Sequence, residues 1–264
     1  MKQIFQNEFF FQIVALLIGF ICVHAFYIGL VRPNAELILA AQQAAIAAGE
    51  VVANERSIWV VVKDFEQEAC LVLALWAMAI MGFKTVRLQS ERKLLDESLI
   101  QIQEGTRVLP EDARPLSRNL ESLPKSAHDY LLPRALQSAL QRLETGAGVQ
   151  EVSSAVRDVC DAESQRLDTE LSLIRYISWA IPSIGFIGTV RGIGSALANA
   201  HEAVAGDIAG VTSSLGVAFN STFIALLISI IIMFLSHQLV LYQERLVLNA
   251  QRYCERNLVR HIQV

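Results

Sequence analysis

Charge is what this sequence has least of. Of its 264 residues 18% are charged, against about 25% in an ordinary soluble domain. Apolar residues make up 53% and the mean hydropathy is +0.40, which argues against a water-soluble enzyme. Basic residues are not in excess either. With 22 Lys and Arg against 26 Asp and Glu, the net charge is −4, which gives no footing for nucleic acid. Cysteine is sparse: Cys22, Cys70, Cys160 and Cys254 lie far apart with no CxxC pair, so neither a zinc ribbon nor a disulfide framework is expected. There is no Ser-His-Asp arrangement, no His/Cys set at metal-ligand spacing, no strand-like alternation and no internal repeat. The expected chain is non-enzymatic and free of cofactor and metal, and its solvent is a lipid bilayer.

Crossing a bilayer takes about 20 mostly apolar residues in a helix. Four stretches qualify: 9–31, 69–86, 174–200 and 209–237, the last two separated only by HEAVAGDI. None of the four contains Asp or Glu. Lys84 sits near the end of the second, where it is expected to snorkel to the interface. The first stretch has a signal-peptide-like Val23-His24-Ala25. However, its n-region is weak, with Lys2 offset by Glu8, and the apolar run continues past the would-be cut. It is read as a spanning helix.

Lys and Arg near the span ends set orientation. The flanks of the middle segment carry Lys84, Arg87, Arg92, Lys93, Arg157, Arg166 and Arg175, and the tail carries Arg245, Arg252, Arg256 and Arg260. Residues 32–68 carry only Arg32, Arg56 and Lys63, and 201–208 carry none. Both termini and the middle segment are therefore expected in the cytoplasm. The predicted organisation is all-α: residues 1–86 hold two spans and an outward helical segment (32–68), 87–173 a cytoplasmic helical domain, 174–237 the third and fourth spans, and 238–264 a cytoplasmic C-terminal helix. Residues 87–103 read as an amphipathic continuation of the second span, with Leu88, Leu95, Leu99 and Ile102 on one side. Gly105, Pro110, Pro115, Pro124 and Pro133 then mark a connector. Helix is expected to resume at Arg134, break at Gly146-Ala147-Gly148 and run on from Val149 into the third span.

Those last two spans carry the pattern. Gly188, Gly192, Ala196 and Ala200 fall at successive steps of four, with Gly185 one turn before, and Pro182 is placed to kink the helix. Small-xxx-small faces let helices approach closely in lipid; the partner is either this bundle or another chain. On the fourth span Ser214, Ala218, Thr222, Ala225 and Ser229 form a small and hydroxyl stripe beside Ser221, opposite Leu215, Phe219, Phe223, Leu226 and Ile230. Such a stripe either lines an ion path or bonds carbonyls one turn back. Arg191 is the one formal charge in the central part of either helix, about 24 Å from Arg175 at about 1.5 Å per residue. An intramembrane ion pairs, snorkels or serves transport; Glu202 and Asp207 are the expected partners, and anion transport is the alternative. The string from Gly188 to Gly194 is no nucleotide loop, since no strand precedes it and no Lys-Ser/Thr pair follows.

The run Pro182-Ser-Ile-Gly185-Phe-Ile-Gly188-Thr189-Val190-Arg191-Gly192-Ile193 resembles the third-helix signature of the MotA/TolQ/ExbB proton-channel family, chiefly its TolQ/ExbB side. Ala218-Phe219-Asn220-Ser221-Thr222-Phe223-Ile224-Ala225-Leu226 resembles the family's Thr-containing fourth-helix motif. The four-span layout is more like MotA. The resemblance implies a bacterial inner-membrane homo-oligomer, a pentamer. It surrounds two copies of a single-span MotB/TolR/ExbD-like partner whose membrane Asp is essential, and ion flow is converted into mechanical work. It also implies that Thr189 and Thr222 face that Asp, with Ser221 and Ser214 along the path and Gly185, Gly188, Gly192, Ala196 and Ala218 at helix or subunit contacts. Arg191 departs from the aromatic or apolar residue usual there. Rival readings are a non-conducting scaffold and a stand-alone channel using Arg191.

Overall fold

The computed structural model describes residues 2–48, 57–97, 99–100, 102, 106–124, 127–206 and 208–262. Arg56, Gly105 and Asp207, which entered the reading above, lie outside them. Among the described residues the chain is all-α. The helices are α1 (Lys2–Phe26), α2 (Arg32–Ala47), α3 (Ile58–Val61), α4 (Phe65–Asp96), α5 (Ala113–Glu121), α6 (Leu131–Glu144), α7 (Val149–Glu170), α8 (Ser172–Ala198), α9 (Ala200–Val204) and α10 (Ala209–Asn257). A π turn, Tyr27–Val31, joins α1 to α2. Among the described residues four helical stretches are long and apolar enough to cross a membrane: Glu8–Gln42, Phe65–Asp96, Val149–Ala198 and Ala209–His261. The expected polytopic all-α class is therefore what forms.

The chain divides into two compact units. The first comprises residues 82–172 and 237–264. Its core joins Leu136, Leu140 and Leu143 of α6 to Val152, Val156 and Cys160 of α7 and to Ala250, Tyr253 and Cys254 of α10. The i, i+4, i+7 spacing on α6 explains why that face is buried. Gly146, at φ +78°, ends α6 as expected, because a left-handed residue after the last turn favours glycine. Pro133 does not break the chain. It falls in the first turn of α6, where no intrahelical donor is lost.

Two expectations fail in this unit. The second span's helix stops at Asp96 rather than near 103. The Tyr253 hydroxyl accepts the Leu99 N–H at 3.0 Å and donates to the Glu97 carbonyl at 3.3 Å, meeting the backbone that the helix leaves unserved. Lys84 does not snorkel: it is 4% exposed and its Nζ lies 2.8 Å from Glu170 Oε2.

The second unit comprises residues 2–81 and 173–236. Here α8 and α10 approach through their small residues. A Cβ on Gly192 would lie 2.7 Å from the Ala218 N and 2.8 Å from the Ser214 carbonyl oxygen; one on Gly185 would strike Ala225 and stand 3.1 Å from the Ser221 carbonyl. The glycine face is thus used against α10 of the same chain. Ala196 is buried, whereas Ala200 has left α8 and begins α9. On the other side of α10, Phe219, Phe223, Leu226 and Ile230 are exposed, a surface suited to lipid or a neighbouring subunit.

Pro182 lies within α8 and has no N–H, so the Ser178 carbonyl loses its usual donor. The Ser229 hydroxyl donates to that carbonyl at 3.2 Å from α10. This is how a proline is accommodated inside a membrane helix. Ser229→Ala is expected to cost about 1–2 kcal/mol, read as earlier thermal unfolding in detergent, while Ser183→Ala, whose hydroxyl only bonds its own helix at Trp179, is expected to be close to neutral.

Candidate functional site

The α8–α10 seam assembles four of the five expected path residues. Thr189 and Thr222 are half-buried and hydrogen-bonded to each other through their hydroxyls. Thr222 Oγ1 also reaches the Gly185 carbonyl at 3.1 Å, and Thr189 Oγ1 the Ala218 carbonyl at 3.1 Å. Each hydroxyl owns one proton. With Thr222 donating to Gly185, Thr189 donates either to Thr222 or to Ala218. In both cases the pair straps the two helices where glycine lets them touch. About two turns towards the α10 N-terminus, Ser214 and Ser195 pair at 3.1 Å. Ser221 is 1% exposed and packs over Gly188, and its Oγ has no hydrogen-bond partner among the described residues.

Arg191 is not on this seam. Its Nε and Nη2 meet Glu66 at 2.8 and 2.9 Å, a fork-on-carboxylate geometry. A second contact runs to Asp64 at 3.5 Å. The expectation of Glu202 is therefore corrected, and Asp207 lies outside the described residues. The pairing neutralises a charge that would otherwise repel cations.

Beside it, Glu68 is bonded by His24 Nδ1 at 2.6 Å and by Arg32. The Arg32 guanidinium also lies 4.5 Å from the Phe65 ring centre. Burial pushes the Asp64 carboxyl above its ordinary range, while the Lys63 and Arg191 charges pull it back. Three polar atoms of this cluster, Tyr27 Oη, Asp64 Oδ2 and Gln67 Nε2, are buried without a partner among the described residues.

Sequence reasoning missed the carboxylates of this cluster because the apolar window of the second span begins at Ala69. The helix begins earlier. Gln67 Oε1 accepts the Asp64 N–H at 2.8 Å, one half of a capping box. The pattern Asp64-x-x-Gln67 just before an apolar run was the available signal, and it carries Glu66 and Glu68 into the first turn of α4.

The model of the MotA/TolQ/ExbB proton channel family matches residues 127–252. Residues 127–252 are thus similar to the domain of that family. No curated protein and no solved structure matches it significantly. The MotA/TolQ/ExbB domain takes in just under half of the chain, from α6 through α8 to most of α10, and includes the whole hydroxyl seam. His24, Arg32, Asp64, Glu66 and Glu68 all fall outside the matched segment.

Proposed function

We propose that this protein conducts ions, chiefly protons, across the bacterial inner membrane, with both termini cytoplasmic, and is not an enzyme. It works as a homopentamer around two copies of a single-span MotB/TolR/ExbD-like partner and converts the ion gradient into mechanical work. The observation that carries this reading is the Thr189–Thr222 pair, two half-buried hydroxyls bridging the family's two motif helices. A proton path needs a titratable group. Neither α8 nor α10 as far as Gln243 contains Asp or Glu, so the partner's Asp supplies one opposite this pair.

A second reading is favoured by the same geometry. Both hydroxyls lie within hydrogen-bond reach of in-chain carbonyls, as they would in a non-conducting scaffold. Proteoliposomes of the complex with its single-span partner, of stoichiometry set by native mass spectrometry, separate the two. Conduction predicts a five-to-two complex and a fall in proton flux of about tenfold or more for Thr222→Val. No proton flux from the wild-type complex, with Thr222→Val only lowering the unfolding temperature, would establish the scaffold.

A further inference from the structure

Gly188 presents bare backbone at a point bordered from two sides. A Cβ placed there would stand 2.7 Å from the Ser221 Oγ of α10 and 3.2 Å from the Glu66 Cγ of α4. An oxygen without a partner among the described residues and the stem of a carboxylate thus border the same vacant Cβ position. Burying a hydroxyl unpaired costs free energy, and holding an ion pair within a membrane bundle costs more. Packing alone gives no reason for either: an alanine at 221 would fill similar space without an orphaned oxygen.

We propose that Glu66 is a proton-carrying residue of the ion path, handing protons across the Gly188 backbone to the Ser221 hydroxyl, with Arg191 as the counter-charge that restores its ionised form. This deepens the conduction reading and rests on it. The step balances simply. A proton from the outer solution adds to a Glu66 carboxylate oxygen, and the Arg191 guanidinium keeps its contact with Asp64. The proton then leaves for Ser221, whose hydroxyl passes its own proton onward to the partner's carboxylate, and Glu66 returns to its fork on Arg191. Transfer needs hydrogen-bond reach, directly or through one water, and a side chain at position 188 would stand in the way.

The charged and titratable groups around Glu66 are Arg191 on α8, Asp64 and Lys63 before α4, Glu68 and Cys70 on α4, and His24, Tyr27 and Arg32 on the first membrane helix. Arg32 and His24 hold Glu68, which leaves Glu66 and Asp64 on Arg191, with the two-bond fork on Glu66 and a single 3.5 Å contact on Asp64.

The test uses the complex with its partner in proteoliposomes, with internal pH read by a trapped dye while the outer pH is varied. Glu66→Gln is expected to lower flux by about tenfold or more and to flatten its dependence on outer pH. Glu66→Asp should retain part of the flux, and Ser221→Ala should lower it with the outer pH dependence still present. Wild-type flux and an unaltered outer-pH profile in Glu66→Gln would overturn the proposal. A wild-type complex that conducts nothing would instead sink the conduction reading, and this inference with it. If Glu66→Gln fails to assemble, Glu66→Gln/Arg191→Gln, which removes both members of the pair, takes its place.

Discussion

Gly192→Ala is expected to destabilise the protein strongly, whereas Gly194→Ala, two residues on, should be neutral or stabilising. At 192 the new methyl would stand 2.7 Å from the Ala218 N and 2.8 Å from the Ser214 carbonyl oxygen. Both are backbone atoms of α10, so no side chain can rotate away and the helices themselves must part. Overpacking of this kind costs about 1–3 kcal/mol, occasionally more. Separating the helices also strains the Thr189–Thr222 and Ser195–Ser214 bonds that tie them. At 194 nothing lies within 4 Å, and exchanging glycine for alanine inside a helix gains up to about 1 kcal/mol. Thermal unfolding in detergent checks the contrast. Equal midpoints for the two variants would mean that α8 and α10 are not in contact as described.

Glu68→Ala carries the other large effect. The Glu68 side chain is 8% exposed and accepts from both His24 and Arg32. Removing one member of a buried pair costs about 3–5 kcal/mol, because the survivor keeps its charge without its partner. The lower end is expected here, since 27% of the Arg32 side chain remains exposed and its guanidinium keeps the Phe65 ring. Removing both charges, as in Glu68→Ala/Arg32→Met, should recover most of the loss, and the cycle of four unfolding energies isolates the coupling. No recovery in the double variant would show that Glu68 stabilises by packing rather than by charge. Glu68 takes its two partners from the first membrane helix, whereas Glu66 takes Arg191 from α8.

The four spans were legible because hydropathy over about 20 residues is a strong and local signal. The α8–α10 seam was legible because glycine, alanine and hydroxyls recur at helical spacing, and the structure uses that spacing between two consecutive spans. The carboxylate cluster was not. Its members come from the first membrane helix, the start of α4 and the middle of α8, and the pairing of Arg191 with Glu66 spans 125 residues. Nothing in local periodicity encodes a contact of that separation, and a window that rewards apolar residues removes the acids at its own edge. The end of the second span's helix was hidden for a similar reason, since the group that satisfies Leu99 is the hydroxyl of Tyr253, 154 residues away.

The π turn at Tyr27–Val31 acts as a phase corrector. Val23, Tyr27, Val31 and Ala35 are all buried, at steps of four. On a regular α-helix each such step overshoots one turn by about 40°, so a line of four residues would wind away from its neighbour. The wider turn absorbs one residue and cancels the drift, keeping these side chains in register and delivering Arg32 to Glu68. Chain length between Val23 and Arg32 is therefore fixed as firmly as any side chain in the cluster: a one-residue deletion, leaving every buried residue chemically intact, would turn the guanidinium by about a quarter of a circle and leave Glu68 without it.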